Sequence, residues 1–142
     1  MTINELQDEI IEDFTLLDDW MDRYQLLIDL GEDEDDLSED EKVDANLIEG
    51  CQSRVWLVCD EVDGKLEYRA ESDALIVKGI AVLLMRVLSG HTPQEILEAD
   101  LYFIDKIGLS EHLSPTRSNG LLAMVKQMRM YALAYQTKLA QG

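Results

Sequence analysis

The segment GCQSR, residues 50 to 54, combines residue types that could present a reactive thiol. Gly50 has no side chain, so it permits a tight turn and lets a partner approach Cys51 closely. Three residues that can donate hydrogen bonds follow the cysteine: Gln52, Ser53 and Arg54. A cysteine in this setting is either a nucleophile or an ordinary turn residue. Residue chemistry alone leaves both interpretations open.

The charge pattern predicts a thiol of low intrinsic reactivity. The chain has a formal net charge of −18, and nineteen of its thirty acidic residues lie within the first fifty. Negative charge raises the pKa of a thiol, and Arg54 is the nearby cation that opposes it. Arg117, in the segment SPTRSNG, could fold back over Cys51 or be a surface residue at a helix start. We therefore expect a thiol that accepts a group from an activated partner.

Other chemistries fit the sequence less well. A cysteine hydrolase needs a general base, and His91 and His112 are the two histidines of the chain. His91 has the setting of a plain loop residue, and His112 is a weak candidate. The cysteines and histidines show neither CxxC nor HxxxH spacing, so the sequence predicts no metal site and no cofactor.

Cys59 has the pattern of a packing residue. It is in phase with Val55 and Leu57 of a strand-like run, and a packed cysteine behaves as a small hydrophobe. The run also separates Cys59 from Cys51 by more than a disulfide can span, so we expect two reduced thiols.

Length and charge limit the class of partner. The 142 residues predict one domain, 1–142, and no apolar stretch approaches the ~18 residues of a membrane span. The acidic, amphipathic N-terminal segment is unlike a signal peptide, so we expect a cytoplasmic location. The negative field would repel phosphate backbones and anionic lipids, which argues against binding to nucleic acid or membrane. The run EDEDDLSEDE lacks the spacing of an EF-hand and predicts a solvated acidic loop, about residues 31–42.

Two helices are predicted ahead of residues 50 to 54, the thiol segment. Thr2 and Glu5 have the spacing of a capping box for the first. The apolar pattern predicts that the second runs from near Asp13 to Gly31, where a left-handed glycine would end it.

A small antiparallel sheet is predicted after the thiol segment. RVWLVCD and KLEYRAES flank Asp63 and Gly64, a pair typical of a two-residue hairpin turn. A short third strand is expected near residues 47–49. Ser72 or Asp73 would then cap an apolar helix.

The C-terminal half is predicted to be helical. Thr92 has the setting of an N-cap, and another helix is expected from near Asp100 to Gly108. The segment LSEHLSPTRSNG, residues 109–120, is interpreted as a loop leading into a long last helix. Helices around one small sheet make the fold class α+β.

Four motifs follow one another along the chain: GCQSRVW (50–56), ESDALIVKGI (71–80), HTPQEIL (91–97) and HLSPTRSNGL (112–121). In order and spacing they resemble the signatures of the SufE family of sulfur acceptors, and the similarity spans about residues 14 to 135. The resemblance implies an α+β fold similar to SufE and to IscU-type scaffolds.

The resemblance also implies a function. Cys51 would take the terminal sulfur from a persulfide on a cysteine desulfurase, a pyridoxal phosphate enzyme of the SufS type, and stimulate that enzyme. The sulfur would pass to an iron-sulfur scaffold protein, so the chain would be a relay without turnover of its own. A CsdE-type acceptor serving a different desulfurase is the alternative. The resemblance is compatible with a monomer or a weak homodimer.

The same resemblance assigns supporting roles to five residues near the thiol. They shape or border the loop that presents Cys51: Gln52, Ser53, Arg54, Asp73 and Arg117. Three other classes remain as alternatives, namely an iron-sulfur scaffold, a cysteine hydrolase that depends on His112, and a helical interaction module in which both cysteines are packing residues.

Overall fold

The structure is a computed structural model that describes residues 1–34, 37–50 and 53–141. Within these residues a two-stranded antiparallel sheet is surrounded by helices, which confirms the α+β class. The helices are α1 Ile3–Thr15, α2 Trp20–Glu32, α3 Leu75–Leu88, α4 Pro93–Glu98, α5 Phe103–Lys106, α6 Leu109–His112 and α7 Pro115–Gln141. The strands are β1 Val55–Val62 and β2 Lys65–Ser72, preceded by a 3-10 turn, Asp44–Asn46. No helix among the described residues is both long and apolar enough to cross a bilayer.

The first helix forms as its sequence predicts, but the second begins later. The Oγ1 of Thr2 accepts a hydrogen bond from the backbone N–H of Glu5, and the Glu5 carboxylate accepts one from the N–H of Thr2. The predicted start of α2 near Asp13 is wrong because α1 continues to Thr15. Asp19 then caps α2, since its carboxylate accepts a hydrogen bond at 2.9 Å from the second helical N–H, that of Met21.

The predicted left-handed end of α2 at Gly31 is also wrong. Gly31 lies inside the helix, whose C-cap is Asp33 in the right-handed region. A Cβ at Gly31 would lie 3.1 Å from the backbone nitrogen of Gly79 in α3. This glycine therefore serves the close approach of two helices.

The hairpin has the register that its turn signal predicts. Val55 pairs with Ser72 at one end, and Val62 pairs with Lys65 at the other. The two turn residues have positive φ, 54° at Asp63 and 83° at the glycine that follows it. This left-handed geometry matches the twist of the two strands. The predicted third strand is reduced to one isolated bridge between residues 47 and 56.

The predicted acidic loop, about residues 31–42, starts later than expected because α2 continues to Glu32, and two of its described residues are not solvated as a loop would be. Leu37 is buried, and the Glu41 carboxylate receives two hydrogen bonds from the guanidinium of Arg69 on β2. These hydrogen bonds hold the pKa of Glu41 below its usual range. The exposed side chains of Glu39 and Asp40 keep the predicted solvated character.

Helix α3 is the central element of the core. Eleven of its fourteen residues are buried, and it packs against β2, α2 and α7. The predicted side-chain cap is wrong, because the N-cap is Ala74 and its side chain cannot accept a hydrogen bond. Ser72 Oγ instead accepts from the N–H of Ala74, and the Asp73 carboxylate is used elsewhere.

The segment predicted as a loop before the last helix is mostly helical. Its first residues form α6, and α7 begins at Pro115. Ser114 precedes that proline, and its Oγ accepts a hydrogen bond at 3.4 Å from the N–H of Arg117. A capping serine followed by proline at the first helical position is a helix start that the glycine of the segment obscured. The predicted helix from Asp100 to Gly108 is shorter, Phe103–Lys106.

Candidate functional site

The candidate site is the thiol segment, whose first residue, Gly50, lies beside α7. Cys51 and Gln52 lie outside the described residues, so the site is defined by the residues on either side of them. Gly50 has a φ of 91°, a backbone conformation that favours glycine. A Cβ at this position would lie 3.5 Å from the Cβ of Ala123, an ordinary contact. The conformation, and not lack of space, is therefore what requires glycine ahead of Cys51.

Two backbone-anchored hydrogen bonds fix the other side of the segment. The N–H of Arg54 donates to Oδ1 of Asp73 at 3.1 Å, and the N–H of Asp73 donates to the carbonyl of Arg54 at 3.3 Å. The pair lies one position beyond the last rung of the hairpin, Val55 with Ser72. Asp73 therefore closes the sheet end from which the thiol segment emerges.

Ser53 and Arg117 line one cleft next to this closure. The cleft has a volume of 550 Å³ and lies between α2, the start of α3 and the start of α7. Its other lining residues are Ile28, Ala74, Leu75, Ile76, Val77 and Ser114. The structure thus brings together two residues that are 64 positions apart in the sequence. Arg117 lines the cleft from the first turn of α7, because the segment that was predicted as a loop around it is helical.

A second cleft borders the segment on the side of Gly50. It has a volume of 690 Å³ and is lined along one side by α7. Its lining includes Glu49 and Gly50 from the chain that precedes Cys51, and Asn119, Lys126 and Met130 from α7. This face was not predicted from the sequence, which indicated a long last helix but assigned none of its residues beyond Arg117 to the site. Its signal was the absence of acidic residues from the whole of α7.

Cys59 is confirmed as a core residue. Its side chain is 8% exposed within β1, and the Tyr135 hydroxyl donates a hydrogen bond to its backbone carbonyl at 3.1 Å. Burial, and to a lesser extent the charge of Asp60, raises the pKa of the Cys59 thiol to about 12. A thiol in this environment is a poor nucleophile at neutral pH.

Neither histidine lines a cleft beside the thiol segment in the described part of the chain. His112 stacks on Trp20, with ring centroids 4.0 Å apart. His91 is buried, unlike the plain loop residue expected, and its ring nitrogens lie 3.1 Å from the carbonyl oxygen of Ser89 and 2.9 Å from that of Met1. Both imidazoles therefore hold structural elements together, which weakens the hydrolase alternative.

Comparison with known proteins gives a consistent result. The model of the SufE family, described as the Fe-S metabolism associated domain, matches residues 8–132. An uncharacterized SufE-like protein of Rhizobium meliloti (strain 1021) is 41% identical over 130 residues, which is 88% of this chain and 93% of the relative. A SufE-like protein of Synechocystis sp. is 38% identical over 134 residues, which is 94% of this chain and 84% of the relative.

The fold is also similar to a solved structure. The solution structure of a hypothetical protein from Thermus thermophilus superimposes with a TM-score of 0.76 at 25% sequence identity. The superposition covers 93% of this chain and 96% of that one. The described helices and hairpin are therefore a known arrangement.

Proposed function

The chain belongs to the SufE family of sulfur acceptors in Fe-S metabolism, and we propose that Cys51 is the residue on which it accepts and carries sulfur. The observation that carries this proposal is the match over residues 8–132, which includes the GCQSRVW motif. The burial of Cys59 supports it, because Cys51 is then the cysteine that a partner can use.

The proposed reaction is a thiol–persulfide exchange. The Cys51 thiolate attacks the terminal sulfur of a persulfide on the desulfurase, and the sulfur–sulfur bond of the donor breaks. The donor cysteine leaves as a thiolate, and Cys51 becomes the persulfide; its original proton passes to solvent or to the leaving thiolate. A second exchange delivers the sulfur to an iron-sulfur scaffold protein.

The neighbours of Cys51 have distinct proposed roles. Gln52, Ser53 and Arg54 form the loop that presents the thiol, and Asp73 anchors the end of that loop through its bond to the Arg54 N–H. Arg117 lines the same cleft as Ser53, where a guanidinium would favour the anionic forms of the thiol and of the persulfide.

The partner is proposed to be a SufS-type desulfurase, whose turnover the chain would stimulate, in the cytoplasm. A CsdE-type role with another desulfurase is the alternative. The acceptor would work as a monomer or a weak homodimer, without a cofactor of its own. The predominantly acidic composition supports a protein partner and not nucleic acid or membrane.

The test is to incubate the purified chain with a cysteine desulfurase of the same organism and free cysteine. We expect the intact mass to rise by one sulfur atom, the added mass to disappear on reduction, and peptide mapping to place it on Cys51. Alanine release by the desulfurase should rise with acceptor concentration. An unchanged mass while the desulfurase turns over would refute the proposal.

Asp73→Ala is expected to expose the thiol. We propose that Cys51 is sheltered in the free protein and released on docking, and Asp73 ties down the loop end through one backbone hydrogen bond. One hydrogen bond is worth about 1 kcal/mol, so alkylation of Cys51 by iodoacetamide should become about fivefold faster. Asp73→Asn retains an oxygen acceptor and is the matched control, with a rate near wild type. Equal rates for the alanine and asparagine variants would contradict this role.

A further inference from the structure

Helix α7 has a net positive charge in a chain whose formal net charge is −18. It carries four of the twelve Lys and Arg residues and none of the thirty acidic residues. Nineteen of those acids lie in the first fifty residues instead. An acidic segment of another protein would therefore be repelled by the N-terminal half and attracted to α7.

The same helix exposes a row of large apolar side chains. Leu122, Met130 and Leu133 are 67%, 52% and 56% exposed, respectively. With Val125 and with Leu97 of α4, they line a groove of 420 Å³ between α4 and α7. Exposed apolar side chains that form one continuous patch are typical of interaction surfaces.

Two cations border this α4–α7 groove. Lys126 and Arg129 are its polar lining residues, and no carboxylate of the described residues forms a salt bridge with either. Arg129 donates one hydrogen bond, from Nη2 to the carbonyl of Ala99 at 2.8 Å, while its buried Nε has no acceptor in the described part of the chain. The positive charge at the groove is therefore available to a carboxylate from outside.

The groove lies on the side of α7 away from Arg117. Lys126 comes nine positions after Arg117, which is about two and a half turns of helix and places the two residues on opposite faces. Lys126 and Met130 also line the cleft beside Gly50. A protein bound in the groove would thus lie next to the cleft that contains Gly50 and leave the cleft of Ser53 and Arg117 open.

We propose that the α4–α7 groove docks an acidic amphipathic helix of the scaffold protein that receives sulfur from Cys51. A helix fits because a groove between two helices accepts apolar side chains spaced three and four residues apart, and the flanking cations select Asp or Glu beside them. The identity of the partner rests on the proposed function. The recipient is assigned to the groove and the sulfur donor to the Ser53–Arg117 cleft on the other side of α7, because the guanidinium of Arg117 in that cleft would favour the anionic form of an incoming persulfide.

The test compares binding of the purified scaffold protein of the same organism to wild type, Leu133→Asp and Leu16→Asp. Leu133 lies in the groove, whereas Leu16 is 78% exposed at the end of α1, so the same change is made at two exposed leucines. We expect Leu133→Asp to weaken scaffold binding about tenfold or more, the effect of a central apolar contact, and Leu16→Asp to leave it unchanged. Rising salt should weaken the wild-type complex.

Three outcomes would overturn the assignment. They are absence of scaffold binding by wild type, equal affinity of all three proteins, and a loss of desulfurase affinity in Leu133→Asp without a loss of scaffold affinity. Circular dichroism and thermal unfolding of each variant check folding. Sulfur loading of wild type is measured separately: if it fails while the groove variant still loses scaffold affinity, the proposed function falls and the docking surface stands.

Discussion

Replacing Cys51 by serine is expected to abolish sulfur uptake from the desulfurase, whereas replacing Cys59 by serine is expected to leave it intact. A serine hydroxyl cannot form the sulfur–sulfur bond on which the exchange depends. Cys59 cannot substitute, since its thiol is buried and has a pKa of about 12. At about pH 8 it would be deprotonated to only roughly one part in ten thousand.

The measurement is intact-protein mass spectrometry of wild type and both variants after equal incubation with desulfurase and cysteine. Added sulfur is expected on wild type and Cys59→Ser. A buried hydroxyl at position 59 would need a new hydrogen-bond partner, so Cys59→Ala repeats the control without that group. Sulfur on Cys51→Ser, or its loss in both Cys59 variants while they remain folded, would show that Cys51 is not the acceptor.

Local sequence signals predicted the parts of the fold that depend on neighbouring residues. The capping boxes of α1 and α4 each need a threonine and a glutamate three positions apart, and both form. The hairpin needs only Asp63 and Gly64 between two strand-like runs, and it forms in the expected register. Such signals are contained within a few residues, so tertiary packing does not have to be known.

Errors occurred where a residue has a second, distant role. Gly31 looked like a helix end because it follows an apolar stripe, but its partner is Gly79, 48 positions later. Asp73 looked like a helix cap, but its carboxylate binds the N–H of Arg54 across the hairpin. Nor did the apolar pattern of α3 indicate the buried ion pair between Lys78 and Glu71, 3.1 Å apart. Helical and strand periodicity carry no information about such contacts.

The candidate site shows the same division. The glycine-cysteine segment is visible in the sequence, and the family resemblance selected Arg117 and Ser53. Their common cleft depends on where α7 starts, which was misjudged because Asn119 and Gly120 suggested a loop. The α4–α7 groove was missed for a different reason, since a stripe of Leu and Met predicts burial whether or not the fold supplies a neighbour to cover it.

Gly79→Ala is expected to cause a large loss of stability, although Gly79 itself lines neither cleft beside the thiol segment. An added Cβ would lie 2.1 Å from the carbonyl oxygen of Leu27 and 2.6 Å from its carbonyl carbon, so α2 would have to move away from α3. Both atoms belong to the backbone of a helix and cannot rotate aside. We expect the free energy of unfolding to fall by about 3 kcal/mol, the upper range for an overpacked core.

The higher helix propensity of alanine offsets at most about 1 kcal/mol of this loss, so the steric clash dominates and the variant is expected to be less stable than wild type. Gly31→Ala at the same helix crossing is the graded control. Its added Cβ would lie 3.1 Å from the nitrogen of Gly79 and 3.3 Å from Cβ and Cγ of Lys78, so the neighbours would have to move by only a few tenths of an ångström, and a loss of about 1 kcal/mol is expected. Urea unfolding followed by circular dichroism measures both. If Gly79→Ala proved at least as stable as Gly31→Ala, α2 and α3 would not be in close backbone contact at Gly79 and Leu27. The position of α3 behind the hairpin would then need another explanation.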